Sequence, residues 1–260
     1  MRNASRPALD ALDPDLLATA VSRRDALRRA GTRVAGLAIA SAPLALGLMA
    51  RDAFAQGPLP QAIRDVLNFA LTLEYLEDEF YRAGLAAPGL IPATDRAVFQ
   101  QIGTHETAHV QLLRGVLGSD ATTKPTFDFT AGGAFGDVFT NYQTFLALSQ
   151  GFEDTGVRAY KGQAGAVISD NGVLTTALQI HSVEARHAAQ VRRMRGRKGW
   201  ITAASTDVGA LAAVYAGDAV TVQAGVDTSA FAGTDAATEA FDEPLTREAV
   251  LAIAGQFIVS

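Results

Sequence analysis

The segment HETAHVQLL, residues 105–113, places Glu106 and His109 three positions apart within an apolar pattern typical of a helix. Residues three apart share one helix face, so both side chains meet the same neighbour. A second such pair, in the segment VEARHAAQV, consists of Glu184 and His187. Composition alone predicts about 0.14 such pairs in the chain, and two are present. The repetition therefore indicates that the two helices share a function.

A glutamate stands in the predicted helix that precedes each pair. Glu74 precedes the first pair and Glu153 precedes the second, at nearly equal distances along the chain. A tyrosine follows each of these glutamates about two helical turns later, Tyr81 in the first case and Tyr160 in the second. The chain therefore looks like one helix pair present twice. Each copy gives one glutamate from its first helix and a Glu-x-x-His pair from its second.

Four segments have the apolar periodicity and the length of helices. They are predicted at Pro60–Gly84, Thr94–Gly118, Phe135–Ile168 and Asn171–Arg197. The connections between them are short, long and short, which is the pattern of a four-helix bundle with one long crossover. We therefore predict an all-α fold with the bundle in residues 56–200. Residues 201–260 show no sustained period before a final helix that Thr246 caps, so we expect an irregular extension with a short helix, packed on the bundle.

Six side chains of the bundle are predicted metal ligands: Glu74, Glu106, His109, Glu153, Glu184 and His187. A bundle would direct these four carboxylates and two imidazoles to one interior point. Buried carboxylates without cations repel one another and lose their hydration, at a cost of several kcal/mol each. Two divalent ions would balance the four charges, and neutral histidines would complete the coordination. Such ligands suit iron, manganese or zinc, and the chain has no cysteine to offer a thiolate.

These six residues resemble the di-iron or di-manganese carboxylate site of the ferritin-like superfamily. The segments NFALTLEYLEDEFYRAGL, HETAHVQLL, FEDTGVRAYKG and VEARHAAQVRRM are similar to the ferritin-like domain family that includes plant desiccation-related proteins and many bacterial proteins with export signals. The similarity covers about Pro60 to Trp200. It implies that Glu106 and Glu184 bridge the two metals. It also implies terminal ligands, with Glu74 and His109 at one ion and Glu153 and His187 at the other.

Other polar side chains on the same helices could serve the site or only the fold. Glu77 lies on the seam of the first helix, but Gly156 stands at the corresponding position of the repeat. Glu77 could therefore contact the ligands or lie at the surface. Tyr81 and Tyr160 could hydrogen-bond the bridging carboxylates across the bundle, carry oxidising equivalents or fill the core.

Two further histidines and a basic cluster are open to more than one interpretation. His105 and His181 could orient ligands or lie at helix ends facing loops. The cluster RRMRGRKG, residues 192–199, ends the fourth predicted helix, where cations complement the helix dipole. It could also form an anion or nucleic-acid patch. The chain as a whole has a formal net charge of -5, however, which gives no basic footprint for a nucleic-acid partner.

The first 55 residues have the features of an export signal. Adjacent arginines, Arg23 and Arg24, precede the apolar run VAGLAIASAPLALGLMA and small residues at positions 53–55. This pattern resembles a signal for the twin-arginine export machinery that is cut before Gln56. The alternative is a membrane anchor, although a run of about 17 residues is short for a spanning helix. We expect removal of the signal, export of the folded protein with its metal, and a periplasmic or extracellular location.

A site of this kind could reduce dioxygen, dismutate peroxide, or take up and oxidise Fe(II). We expect an exported ferritin-like metalloprotein that uses two iron or manganese ions in oxygen or peroxide chemistry, or in metal handling, during stress. The alternative is a non-catalytic, desiccation-related bundle in which a metal such as zinc is structural or absent. Iron storage in a cage fits less well because of the signal and the long C-terminal extension. A homo-oligomer is compatible with the sequence.

Overall fold

The computed structural model describes residues 59–259, so the predicted export signal at residues 1–55 lies outside the described residues. Four long helices form the body of the protein: α1, Gln61–Ala86; α2, Arg96–Leu117; α3, Tyr142–Gln163; and α4, Asn171–Met194. Helix α1 packs chiefly on α2, α3 packs chiefly on α4, and α1 also contacts α3. This arrangement confirms the predicted all-α four-helix bundle. None of the helices in this part of the chain has the length and apolar character needed to cross a membrane.

A long crossover, residues 118–141, joins the two helix pairs, as the sequence predicts. It is held in place by the C-terminal end of the chain. The backbone N–H of Asp128 donates to the carbonyl of Phe257 at 2.8 Å, and the N–H of Val259 donates to the carbonyl of Thr126 at 2.9 Å. The crossover contains two short 3-10 helices, Gly118–Asp120 and Ala131–Gly133. The two bonds satisfy backbone groups in its irregular part.

The predicted start of the third helix at Phe135 is wrong, because α3 begins at Tyr142. Asn141 caps the helix, and its side-chain oxygen accepts a hydrogen bond from the N–H of Gln143 at 3.0 Å. Phe135 and Val138 are buried within the turns that precede the helix. The spacing of these apolar residues matches the period of a helix although they lie in turns. The capping residue, Asn141, indicates where the helix begins.

The other helix ends differ from the prediction by a few residues, as helix boundaries commonly do. Asp95 rather than Thr94 directly precedes α2, and it makes no side-chain capping bond. Helix α4 ends at Met194 rather than Arg197. Asp170 caps the start of α4 by accepting hydrogen bonds from two backbone N–H groups. This cap fixes the short connection between α3 and α4.

Apolar side chains fill the bundle in two clusters. One cluster is rich in aromatic rings: Phe80 stacks on Phe145 with centroids 4.9 Å apart and meets Phe152 edge to face at 5.0 Å. The other cluster is mainly aliphatic and includes Ile63 and Leu113. On both α2 and α4, the predicted metal ligands lie between residues of the two clusters. The predicted site is therefore a polar layer flanked by packed apolar side chains along the bundle.

Residues 201–259 form an extension that packs on the bundle. It begins with a 3-10 helix, Gly209–Tyr215, and continues with two antiparallel strands, β1 (Val222–Gln223) and β2 (Val226–Asp227). Three helices follow: α5 (Ser229–Ala232), α6 (Thr234–Glu239) and α7 (Arg247–Ala254). Thr246 caps α7 by accepting a hydrogen bond from the N–H of Ala249 at 3.2 Å. Helix α7 contacts α1 and α3, and Ile253 is buried there.

Arg158 of α3 ties the extension to the bundle. Its guanidinium donates to the backbone carbonyls of Val214 and Ala216. It also donates to the carbonyl of Glu243 at 2.6 Å and lies 3.7 Å from the carboxylate of Asp218. The side chains of Arg158 and Asp218 are both fully buried. One arginine therefore satisfies backbone groups from two parts of the extension.

Candidate metal centre

The six predicted ligands come from all four helices of the bundle. Helix α1 supplies Glu74, α2 supplies Glu106 and His109, α3 supplies Glu153, and α4 supplies Glu184 and His187. The four glutamates have no exposed surface, and the two histidines are 6% and 5% exposed. The spacing of three on α2 and α4 turns both members of each pair to the same side of the helix. The structure therefore brings all six side chains together in the interior.

The ligand atoms of these residues form two overlapping groups. One group consists of Glu74, Glu106, His109 and Glu184, and the other consists of Glu106, Glu153, Glu184 and His187. Within each group, one nitrogen or oxygen from every residue lies within 4.8 Å of the others. Glu106 and Glu184 belong to both groups. This is the geometry that two neighbouring ions bridged by these two glutamates would require.

Each histidine turns Nδ1 toward three carboxylates. Nδ1 of His109 lies 3.2 Å from Oε2 of Glu74 and 3.1 Å from Oε2 of Glu106. It also lies 3.0 Å from Oε1 of Glu184. Nδ1 of His187 has equivalent surroundings, at 2.9 to 3.3 Å from one oxygen of each of three glutamates. A single N–H group cannot donate a hydrogen bond to three carboxylates at once. A cation between the nitrogen and the three carboxylate oxygens could bind all of them.

Three carboxylate oxygens of the centre have no hydrogen-bond partner among residues 59–259. They are Oε1 of Glu106, Oε2 of Glu153 and Oε1 of Glu184, all buried. A buried acceptor without a donor costs about 1–3 kcal/mol. Each of these oxygens lies 2.9 to 3.2 Å from a histidine Nδ1, and two ligands of one ion with bonds of about 2.1 Å at right angles lie about 3.0 Å apart. The donor set and its spacing therefore fit a divalent transition-metal ion in each group.

Burial and the neighbouring imidazole rings perturb the pKa values of Glu74, Glu153 and Glu184. Burial raises the pKa of Glu74 to about 8, against the attraction of His109. Burial also raises the pKa of Glu153 well above its usual value, against the attraction of His187. Burial alone would raise the pKa of Glu184 too, but the two imidazole rings hold that pKa below its usual value. Without a cation, the four glutamates would therefore carry fewer than four negative charges at neutral pH.

Two tyrosines donate hydrogen bonds across the bundle to the outer glutamates of the centre, Glu74 and Glu153, each of which belongs to only one ligand group. The hydroxyl of Tyr81 on α1 donates to Glu153 on α3. The hydroxyl of Tyr160 on α3 donates to Glu74 on α1, which repeats the contact in the opposite direction. Of the alternatives that the sequence left open, the structure shows a hydrogen bond across the bundle, but each hydroxyl contacts a glutamate that belongs to only one of the two groups. The hydrogen bonds therefore orient the outer glutamates and leave the shared ones free of hydroxyl donors.

Glu77 is a further buried carboxylate beside the centre, only 3% exposed, which excludes a surface position. A Cβ on Gly156 would lie 3.2 Å from Oε1 of Glu77 and 3.6 Å from Cγ of Glu184, so the glycine leaves the room that Glu77 occupies. Burial, and then the charge of Glu184, raises the pKa of Glu77. A cavity of about 10 Å³ lies beside it, bounded in part by Thr155 and Ile253. That volume holds about one water-sized molecule.

A buried ion pair beside the centre is not apparent from the sequence. Arg192 donates to both carboxylate oxygens of Asp154, at 3.1 and 2.6 Å. The hydroxyl of Tyr215 donates to the same carboxylate at 2.7 Å. Arg192 lies in the last turn of α4, where its charge complements the helix dipole as the sequence indicates. It is 4% exposed and paired with Asp154, so it does not form part of an open anion patch. The pair holds the segment of α3 that carries Glu153 against α4 and the extension. The only sequence signal for this ion pair is that Asp154 directly follows Glu153.

The fold and the site together define a four-helix bundle protein with a buried centre of carboxylates and histidines. A family model described as the ferritin-like domain matches residues 63–197, a range that contains all six side chains of the centre. The chain therefore belongs to the ferritin-like domain family. No curated protein matches the chain. The closer similarity to desiccation-related proteins stays a prediction.

Proposed function

We propose that this protein is an exported ferritin-like metalloprotein that holds two ions of iron or manganese and reacts with dioxygen, peroxide or Fe(II) during stress. The observation that supports this function most strongly is the pair of ligand groups that share Glu106 and Glu184. Carboxylate and imidazole ligands suit iron and manganese. Zinc accepts the same ligands but has no redox chemistry. A zinc protein with this centre would therefore serve a structural role.

Two iron or manganese ions, when bound, supply reversible electron transfer, and together they can exchange two electrons with one molecule of peroxide or dioxygen. The protein determines the charge around the two ions and which molecules can reach them. Four glutamates balance the charge of two divalent ions, and Tyr81 and Tyr160 orient the outer pair. The burial of all six side chains keeps bulk water away from them. The small cavity beside Glu77 favours a substrate of only a few atoms.

Oxygen measurements on metal-loaded protein test this function. Manganese- or iron-loaded protein is mixed with hydrogen peroxide, and dioxygen is followed with an electrode; dismutation releases one dioxygen for every two peroxides without an added reductant. Consumption of dioxygen on addition of Fe(II) would instead indicate oxidation of Fe(II). Zinc-loaded protein is the matched control, because its charge is the same and it cannot exchange electrons. A protein that holds two iron or manganese ions and shows neither reaction would contradict a redox function and favour the structural role.

Export is the other part of the proposal, and it is supported by Arg23 and Arg24 and by the small residues before Gln56. Protein recovered from the periplasm or the medium should have Gln56 as its first residue when its N-terminus is sequenced. The Arg23→Lys/Arg24→Lys variant should remain unprocessed in the cytoplasm. An exported protein that still begins at Met1 would contradict cleavage, and normal export of the double variant would contradict the twin-arginine route.

A further inference from the structure

His105 lies directly behind one of the two histidines of the centre. Its Nδ1 is 2.9 Å from Nε2 of His187, and the two rings lie edge to edge and nearly coplanar, with centroids 5.1 Å apart and an angle of 11° between their planes. The other ring nitrogen of His105 is 2.7 Å from the side-chain amide of Gln101. His187 is buried, His105 is half-buried and Gln101 is exposed. A chain of hydrogen bonds therefore leads from the centre to the surface.

The surroundings of His187 decide where its hydrogen sits. Its Nδ1 faces three carboxylates, so a neutral ring that serves as a metal ligand uses the lone pair of Nδ1 and carries its hydrogen on Nε2. That hydrogen points at Nδ1 of His105, which must then accept it. His105, when neutral, carries its own hydrogen on Nε2 and donates to Gln101, whose amide can turn its oxygen to this contact. Every donor in this series of hydrogen bonds then has an acceptor.

Among the described residues, no such series of hydrogen bonds lies behind His109 in the other ligand group. Nδ1 of His109 also faces three carboxylates, but no group in residues 59–259 hydrogen-bonds its Nε2. In the repeat that relates His109 to His187, the position of His105 is taken by Val183, which offers no acceptor. The two ligand groups are therefore alike in their ligands and different in the support behind their histidines.

We propose that His105 is a positioning residue that fixes the tautomer and the ring orientation of His187, and so strengthens metal binding in the group that contains His187 and Glu153. This inference rests on the proposed function, because it assumes that the centre binds metal. Loss of such an outer partner typically weakens metal affinity by about 10–100-fold. The effect should fall on one of the two ions, because His109 and Glu74 lie in the other group.

Two substitutions separate the hydrogen bond from the packing of the ring. The His105→Phe variant keeps an aromatic ring at this position but removes the acceptor. The His105→Asn variant loses the ring but can place Oδ1 where Nδ1 of the imidazole was, so it keeps the acceptor. The His181→Ala variant is the control, because it also removes one imidazole and His181 makes no hydrogen bond to the centre among the described residues.

The experiment is a titration of each metal-free protein with Co²⁺, followed by visible absorption, with far-UV circular dichroism to confirm folding. Wild-type protein should bind two ions. His105→Phe should bind one ion normally and the other about 10–100-fold more weakly, whereas His105→Asn and His181→Ala should match the wild type within a few-fold. Two unweakened ions in His105→Phe, or equal weakening in His105→Asn, would overturn the inference alone. A wild-type protein that binds no Co²⁺ would overturn both the inference and the proposed function.

Discussion

The Glu106→Gln/Glu184→Gln variant is expected to unfold at the same temperature with and without a chelator, whereas the wild-type protein loses much of its stability on chelation. The physical reason is that both glutamates belong to both ligand groups, so their loss removes two ligands from each ion. A ligand present at 1,000 times its Kd stabilises the folded state by about 4 kcal/mol, or about 8 kcal/mol for two ions. For a chain of this size, that corresponds to roughly 16–32 °C in Tm.

Thermal unfolding followed by circular dichroism measures this difference. The matched control is the Asp235→Asn/Glu248→Gln variant, which changes the net charge by the same amount at two exposed positions. It should respond to the chelator as the wild type does. A double variant that still loses stability with chelator would show that metal binds elsewhere.

The Arg158→Met variant is expected to lose about 3–5 kcal/mol of unfolding free energy. The substitution leaves the carboxylate of Asp218 buried without its cation, and it removes the donor from the carbonyls of Val214 and Ala216. Chemical denaturation measures the loss. Arg114→Met is the control, because Arg114 lies exposed on α2 and surface substitutions usually change stability by less than about 0.5 kcal/mol. A loss below about 1 kcal/mol in Arg158→Met would contradict the anchoring role.

A second pair of variants tests the docking of the extension without changing charge. A Cβ on Gly162 would lie 2.0 Å from the backbone carbonyl oxygen of Leu245, whereas a Cβ on Gly165 meets nothing within 4 Å. Alanine stabilises a helix by about 0.8–1.0 kcal/mol over glycine when nothing intervenes. Gly162→Ala should therefore destabilise the protein and expose the extension to proteolysis, while Gly165→Ala should do neither. Equal behaviour of the two variants would show that the extension does not press on α3.

The bundle could be predicted from the sequence because its signals are local. Glu106 and His109 repeat as Glu184 and His187, and an apolar face runs through each helix that carries them. The errors arose where local signals misled. Phe135 belongs to turns whose apolar residues fall by chance at helical spacing, and their burial depends on the distant C-terminal segment: the rings of Phe135 and Phe257 lie 6.1 Å apart.

The candidate site was predictable in its residue types but not in the support around them. Spacing alone indicates that Glu74 and Glu153 face the bundle interior, because each lies on an apolar helix face. It does not indicate that Arg192 would pair with Asp154, since the two residues lie on different helices and each also suits a surface. The contact of His105 with His187 was likewise beyond the sequence, because it depends on how α2 and α4 lie across the bundle.

Elemental analysis of the protein purified without chelator tests the central claim most directly. The account predicts about two iron or manganese ions per folded chain, and none in the Glu106→Gln/Glu184→Gln variant prepared in the same way. A wild-type protein that is folded, contains no transition metal and takes up none from Fe(II) or Mn(II) solution would contradict the account. The buried carboxylates of Glu74 and Glu153 would then be held protonated, and the bundle would be a structural one.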